Sequence, residues 1–99
     1  MTTITKKQNS FVLSQHSLER LQERFPNLTQ SQVQDSFQRS KTLDTQNAAK
    51  FGKKFYNRVL QKSIHEPRQK FLANPYYDIT FVVDYDTNTI ITVYSITKY

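Results

Sequence analysis

DITFVVDYDTNTIITVYSI, residues 78–96, decides the fold of this chain. Ile79, Phe81, Val83 and Tyr85 alternate with Thr80, Val82 and Asp84, which is the period of two of a strand with unlike faces. Asp86, Thr87 and Asn88 carry short polar side chains that bond their own backbone and tolerate a left-handed conformation, the chemistry of a hairpin loop. Residues 90–96 are rich in β-branched side chains, which pack well on a pleated surface, and read as the returning strand. Upstream, residues 68–73 fit one more strand, set off by the turn pair Asn74-Pro75. Strands joined by short turns pair antiparallel.

Before residue 65 the apolar period is helical. Ser14 is placed to cap a first helix over residues 15–25, in which Leu18, Leu21 and Phe25 form one stripe and Pro26 ends the run. Thr29 and Gln32 have capping-box spacing and open a second helix, with Leu28, Val33 and Phe37 on its buried side, that fades near Ser40. Residues 40–46 read as a polar connector. Asp44 or Thr45 then caps a third helix, whose apolar positions are Ala48, Phe51, Phe55 and Val59. Gly52, the single glycine, permits either close packing or a break in that helix. Residues 1–10 are polar and are expected to be loose, leaving 11–99 as one domain. Helices first and strands last imply an α+β fold: N-terminal helices packed on a C-terminal antiparallel sheet of three or four strands.

Ninety-nine residues suffice for one modest core, and with 13% aromatic residues a few large rings must supply much of it. Fourteen Lys and Arg against eight Asp and Glu give a net charge of +6, which favours a polyanionic or acidic partner. With no cysteine, disulfides, thiolate catalysis and Cys-based zinc sites are excluded. No apolar run has the length of a membrane span, and the first residues lack the apolar core of a signal peptide, so the cytoplasm is the expected location. Two histidines 49 positions apart, without a carboxylate cluster at ligand spacing, make a poor metal site, and no cofactor is expected.

His16, Arg20 and Arg24 recur every four residues and so share one strip of the first helix, away from its apolar stripe. Near the helix N-terminus the dipole disfavours an imidazolium at His16, keeping a neutral ring suited to a general base. With Glu19 and Glu23 alongside, the same strip also has the composition of a solvated, mixed-charge face. Residues 50–70 hold Lys50, Lys53, Lys54, Arg58, Lys62, Arg68 and Lys70 against Glu66 alone, with Tyr56 and His65 interleaved. This composition suits tracking of an RNA backbone with stacking on unpaired bases, and it also suits a solvated helix face. Lys53, Lys54, Tyr56, Arg58, Arg68 and Lys70 are the candidate RNA contacts. His65, just ahead of Glu66-Pro67, reads as a surface loop residue.

The run SQHSLERLQERFPNLTQSQV, residues 14–33, with its His-x3-Arg-x3-Arg spacing and second capped helix, and the hairpin of 78–96 with its Thr-Val-Tyr ending, together resemble an uncharacterised-domain family of the barnase–EndoU–colicin–RelE type of RNase fold. Phe25-Pro26 stands where that family usually has Gly after the second Arg. The resemblance implies metal-independent RNA cleavage. It carries over site roles to His16, Arg20 and Arg24 on the helix and to Thr92 and Tyr94 on the last strand. It further implies RNA, free or on the ribosome, as substrate, an acidic neutralising protein as a partner, and a toxin-like or phage-encoded role. In that chemistry the 2′-hydroxyl attacks the adjacent phosphorus, His16 moves a proton, and Arg20 and Arg24 clamp the phosphate bidentately. Thr92 and Tyr94, two apart on a strand, point to one face. Two other readings stay open: an RNA-binding module without catalysis, and a basic module that docks on an acidic protein.

Overall fold

The alternation in residues 79–96 becomes a hairpin in the computed structural model, which describes residues 2–97. Strand β5 (Ile79–Asp84) pairs antiparallel with β6 (Thr89–Ser95), and β4 (Gln69–Asn74) pairs antiparallel with β5 on its other side. Val83 faces Ile90 while Val82 faces Thr92, so Ile91 is an extra residue on β6, a bulge.

The sheet is larger than an antiparallel one of three or four strands, and it is mixed. Six strands run in the order β1-β2-β6-β5-β4-β3. Residues expected to be loose form β1 (Thr3–Lys6), which pairs antiparallel with β2 (Asn9–Leu13). Lys7, in the two-residue turn between them, has a φ of 58°, a left-handed conformation reached without glycine. Strand β2 then runs parallel to β6, with Val12 beside Thr89 and Leu13 beside Ile90. Strand β3 (Lys41–Leu43) lies inside the stretch expected to be a connector, on the far edge beyond β4.

Helices lie between strands rather than ahead of them all. Helix α1 (Gln15–Arg24) is capped by Ser14, whose Oγ accepts from the Ser17 amide at 3.0 Å. Helix α2 (Gln30–Gln38) carries the full capping box: Thr29 N–H donates to Gln32 Oε1 at 2.8 Å, and Gln32 N–H donates to Thr29 Oγ1 at 3.1 Å. Leu28 and Val33 join the same core cluster on either side of that cap, as a hydrophobic staple requires. Asp44 caps the short α3 (Thr45–Ala48), accepting from the Asn47 amide at 2.8 Å. A 3-10 turn (Ala49–Phe51) follows, and then α4 (Lys53–His65). Gly52 resolves as the break between them, with φ at +109°. A Cβ there would meet nothing within 4 Å, so backbone conformation, not crowding, calls for glycine.

Helices cover both faces of the sheet. On one side Leu21 of α1 and Val33 and Phe37 of α2 pack on Leu72, Ile79, Phe81, Val83, Ile90 and Val93, with Ile4, Phe11 and Leu13 completing the cluster. On the other, Ala48, Phe55 and Val59 from α3 and α4 pack on Phe71, Ala73, Val82, Tyr94 and Ile96. Each fully buried ring removes enough apolar surface from water to contribute about 1.5–3 kcal/mol. No helix among the described residues is long and apolar enough to cross a membrane.

Candidate nucleic-acid interface

Strand β2 accompanies β6 only as far as Ile90, and from the bulge onward that edge of β6 passes to α1. Ser14 N–H donates to the Ile90 carbonyl at 3.2 Å, and Ser14 Oγ donates to the Ile91 carbonyl at 3.1 Å. At the other end of α1, Arg24 donates to the Val93 carbonyl at 2.7 Å. The helix thereby lies along β6, with hydroxyl and guanidinium donors standing in for the missing strand. An edge carbonyl would otherwise need water, and a charged donor satisfies it strongly.

That bond carries the Arg24 side chain to Tyr94, with its guanidinium carbon 5.6 Å from the ring centroid. Arg58 of α4 reaches the same ring at 4.5 Å. Both are cation–π distances. Tyr94 is only 7% exposed, so its ring is the meeting point of two cations from separate helices rather than an open stacking surface. Beside it opens a hollow of about 470 Å³, lined by Arg58, Lys62, His65 and Tyr94 together with Asn57, Gln61 and one acidic residue, Glu66. Arg58, Lys62 and His65 stand at i, i+4 and i+7 of α4, so one helix face presents all three to this hollow.

The expected site residues take four separate placements. Arg24 and Tyr94 come together, and Arg58, read only as an RNA contact, joins them. Arg20 is bound to Glu23 one turn on, at the half-buried edge of the strip. His16 lies in the first turn of α1, exposed and without a hydrogen bond to another described residue. Thr92 shares a face with Tyr94 but is buried, opposite Val82.

The basic stretch 50–70 does not form one patch. Lys53 and Lys54 are exposed in the first turn of α4, and Tyr56 is half-buried against the α4-side cluster. Lys70 sits opposite Val83, which puts it on the other face of the sheet, the one covered by α1 and α2. Arg68 approaches Asp86 at 3.9 Å, and both side chains are exposed. His65 and Lys62 are what the reading by residue type passed over. The spacing from Arg58 was the available signal, and it became useful only once α4 was known to run unbroken to His65.

Comparison of the chain with known protein families, with curated proteins and with solved structures finds no match.

Proposed function

We propose that the protein binds RNA at the junction of β6, α1 and α4 and cleaves it there without a metal. The observation that carries this reading is the convergence of Arg24 and Arg58 on Tyr94, beside a hollow that Lys62 and His65 also line. Arg58, Lys62 and His65 of α4 then line a space open enough for a phosphodiester, and Arg24 of α1 reaches the Tyr94 ring at its side.

The reaction uses the RNA's own 2′-hydroxyl. Its oxygen bonds to the adjacent phosphorus while its proton passes to an imidazole, and the bond from phosphorus to the 5′-oxygen breaks as that oxygen takes up a proton. Negative charge grows on the phosphoryl oxygens in the pentacoordinate transition state. Guanidiniums held by β6 and its neighbours favour that state over the ground state because they need not reorganise. His65, which lines the hollow, is the assigned proton acceptor, whereas His16 stands in the first turn of α1, about 12 Å along the helix axis from Arg24, and does not line it. Tyr94 holds both guanidiniums in register. Thr92 is buried on the same face and does not line the hollow.

The test is incubation with single-stranded RNA in EDTA. The expected result is cleavage that leaves cyclic-phosphate ends and is lost in His65→Ala, with RNA binding retained. Loss in His16→Ala with His65→Ala still active would move the proton transfer to the first turn of α1. Binding with a steep salt dependence and no cleavage by the wild type would leave an RNA-binding module. An absence of both would overturn the reading.

A further inference from the structure

The two edges of the sheet are finished differently. At the β1 edge, Gln34 of α2 donates to the Thr5 carbonyl at 2.7 Å and accepts from the Thr5 amide at 2.9 Å. One side-chain amide thus occupies both outward backbone groups of Thr5. Lys6 folds back onto the end of α2, donating to the carbonyls of Gln38 at 3.1 Å and Ser40 at 2.6 Å. Among the described residues the β3 edge has no such side-chain cover. Its one strand neighbour there is β4, α3 and the 3-10 turn lie beside it, and Lys41 and Thr42 are exposed.

Along β3 runs a hollow of about 350 Å³. Leu43, Phe51 and Pro75 give it an apolar floor, and Arg39, Lys41 and Lys50 stand on its rim. None of its lining residues is acidic. Arg39 is paired with Asp35 at 3.0 Å across an exposed surface, where such a pair holds only weakly.

From this edge we infer that β3 is a docking site for an acidic, extended segment of a partner protein. The segment adds a strand beside β3, seats an apolar side chain against Leu43 and Phe51, and sets carboxylates on Lys41 and Lys50. Strand addition draws its affinity from main-chain hydrogen bonds and its selectivity from the alternate side chains. The lysine on this edge also decides against the other occupants. A second copy of this chain, itself at +6, would bring like charge against Lys41. RNA would be drawn to the cations, but a sugar–phosphate backbone offers no ladder of alternating donors and acceptors to β3. The site is separate from the junction at Tyr94, so the inference stands whether or not that junction cleaves RNA.

The experiment titrates the isotope-labelled whole protein with a short synthetic peptide of alternating Glu and Val, followed by amide hydrogen exchange and chemical shifts. Exchange at residues 41–43 is expected to slow, and shifts are expected at Leu43 and Phe51. The same peptide N-methylated at alternate residues should leave those amides unprotected. Lys41→Glu with Lys50→Glu, both on the exposed rim, should weaken binding by about tenfold, or ~1.4 kcal/mol. Arg24→Ala should leave peptide binding unchanged. Three results overturn the inference: no protection at 41–43, stronger protection of the same amides by oligouridylate than by peptide, or protection that rises with protein concentration in the absence of peptide.

Discussion

On the α1–α2 side of the sheet, Phe37 stands edge-on to Phe11 at 5.3 Å and to Phe81 at 4.9 Å, and all three rings are sealed from water. On the α3–α4 side, the packing of Phe55 and Val59 ends at Tyr94, where two guanidiniums arrive. The first face centres on a dry aromatic cluster, with the buried polar groups of Ser36 and Asn74 hydrogen-bonded at its margin. The second spends part of its area on cations held over a ring. The cation–π contacts themselves add little cohesion, about 0.5–1 kcal/mol each near the surface, and it is the bond from Arg24 to the Val93 carbonyl that ties α1 to β6. The contrast separates a region that holds the fold from a region that presents chemistry.

The largest expected effect tests the first half of that contrast. Phe37→Ala removes the ring that links Phe11 to Phe81 and should lower stability by about 3–5 kcal/mol, read as a shift in the denaturation midpoint. A loss below about 1 kcal/mol would mean that this face is not the core. Next come the cations. Arg24→Ala and Arg58→Ala should each lower RNA cleavage by about a hundredfold, since each removes a stabiliser of transition-state charge, and Arg24→Ala should also lower stability by about 1.5–3 kcal/mol because it strips the Val93 carbonyl of its charged donor. If either variant unfolds and the residual folded fraction cleaves normally, the two faces are alike and the cations are structural.

Gly52→Ala comes third. At φ +109° an alanine is strained, and the break between α3 and α4 should lose about 1–3 kcal/mol, seen in thermal unfolding, with the α1–α2 face unaffected in amide exchange. The smallest effect is one of pH. Tyr77 donates its hydroxyl to Asp35 Oδ2 at 2.9 Å, and this hydrogen bond, followed by burial, raises its pKa above the ordinary tyrosine value. A raised folded-state value means that the contribution is present in full below the usual tyrosine range and is lost as pH rises through the folded value. Tyr77→Phe should therefore lower stability slightly and evenly through the neutral region, flatten the alkaline limb of the profile, and meet the wild type above the folded value. An unchanged alkaline limb would show that the bond to Asp35 does not matter in solution.

Much of the fold was legible because its signals are local. Ser14, the Thr29–Gln32 pair and Asp44 cap helices where their side chains said they would. The alternation in 79–83 needed only period two. The N-terminal hairpin was hidden by its turn: Lys7 adopts the left-handed conformation without the glycine or asparagine that signals it. Strand β3 was hidden by its length and polarity, since its three residues include the exposed Lys41 and Thr42. In the candidate site, the pairing of Arg24 with Tyr94 followed from helix spacing and strand parity together with a resemblance. The arrival of Arg58, Lys62 and His65 did not, because nothing local says which face of the sheet α4 will cover.

The amino-acid sequence by itself determined where the helices are capped and that the last two long strands form a hairpin, while for Gly52 it left close packing and a helix break equally open. The caps and the hairpin are each settled by groups within a few residues of one another. Tertiary structure alone decided that β2 lies parallel to β6, that α1 continues that edge, and that helices divide between two faces. Those arrangements join Ser14 to Ile91 and Arg24 to Val93 across most of the chain, and their stability comes from burial and from satisfying edge carbonyls after collapse. No periodicity or cap encodes a partner that distant, because the energy that selects it exists only when both surfaces are already formed.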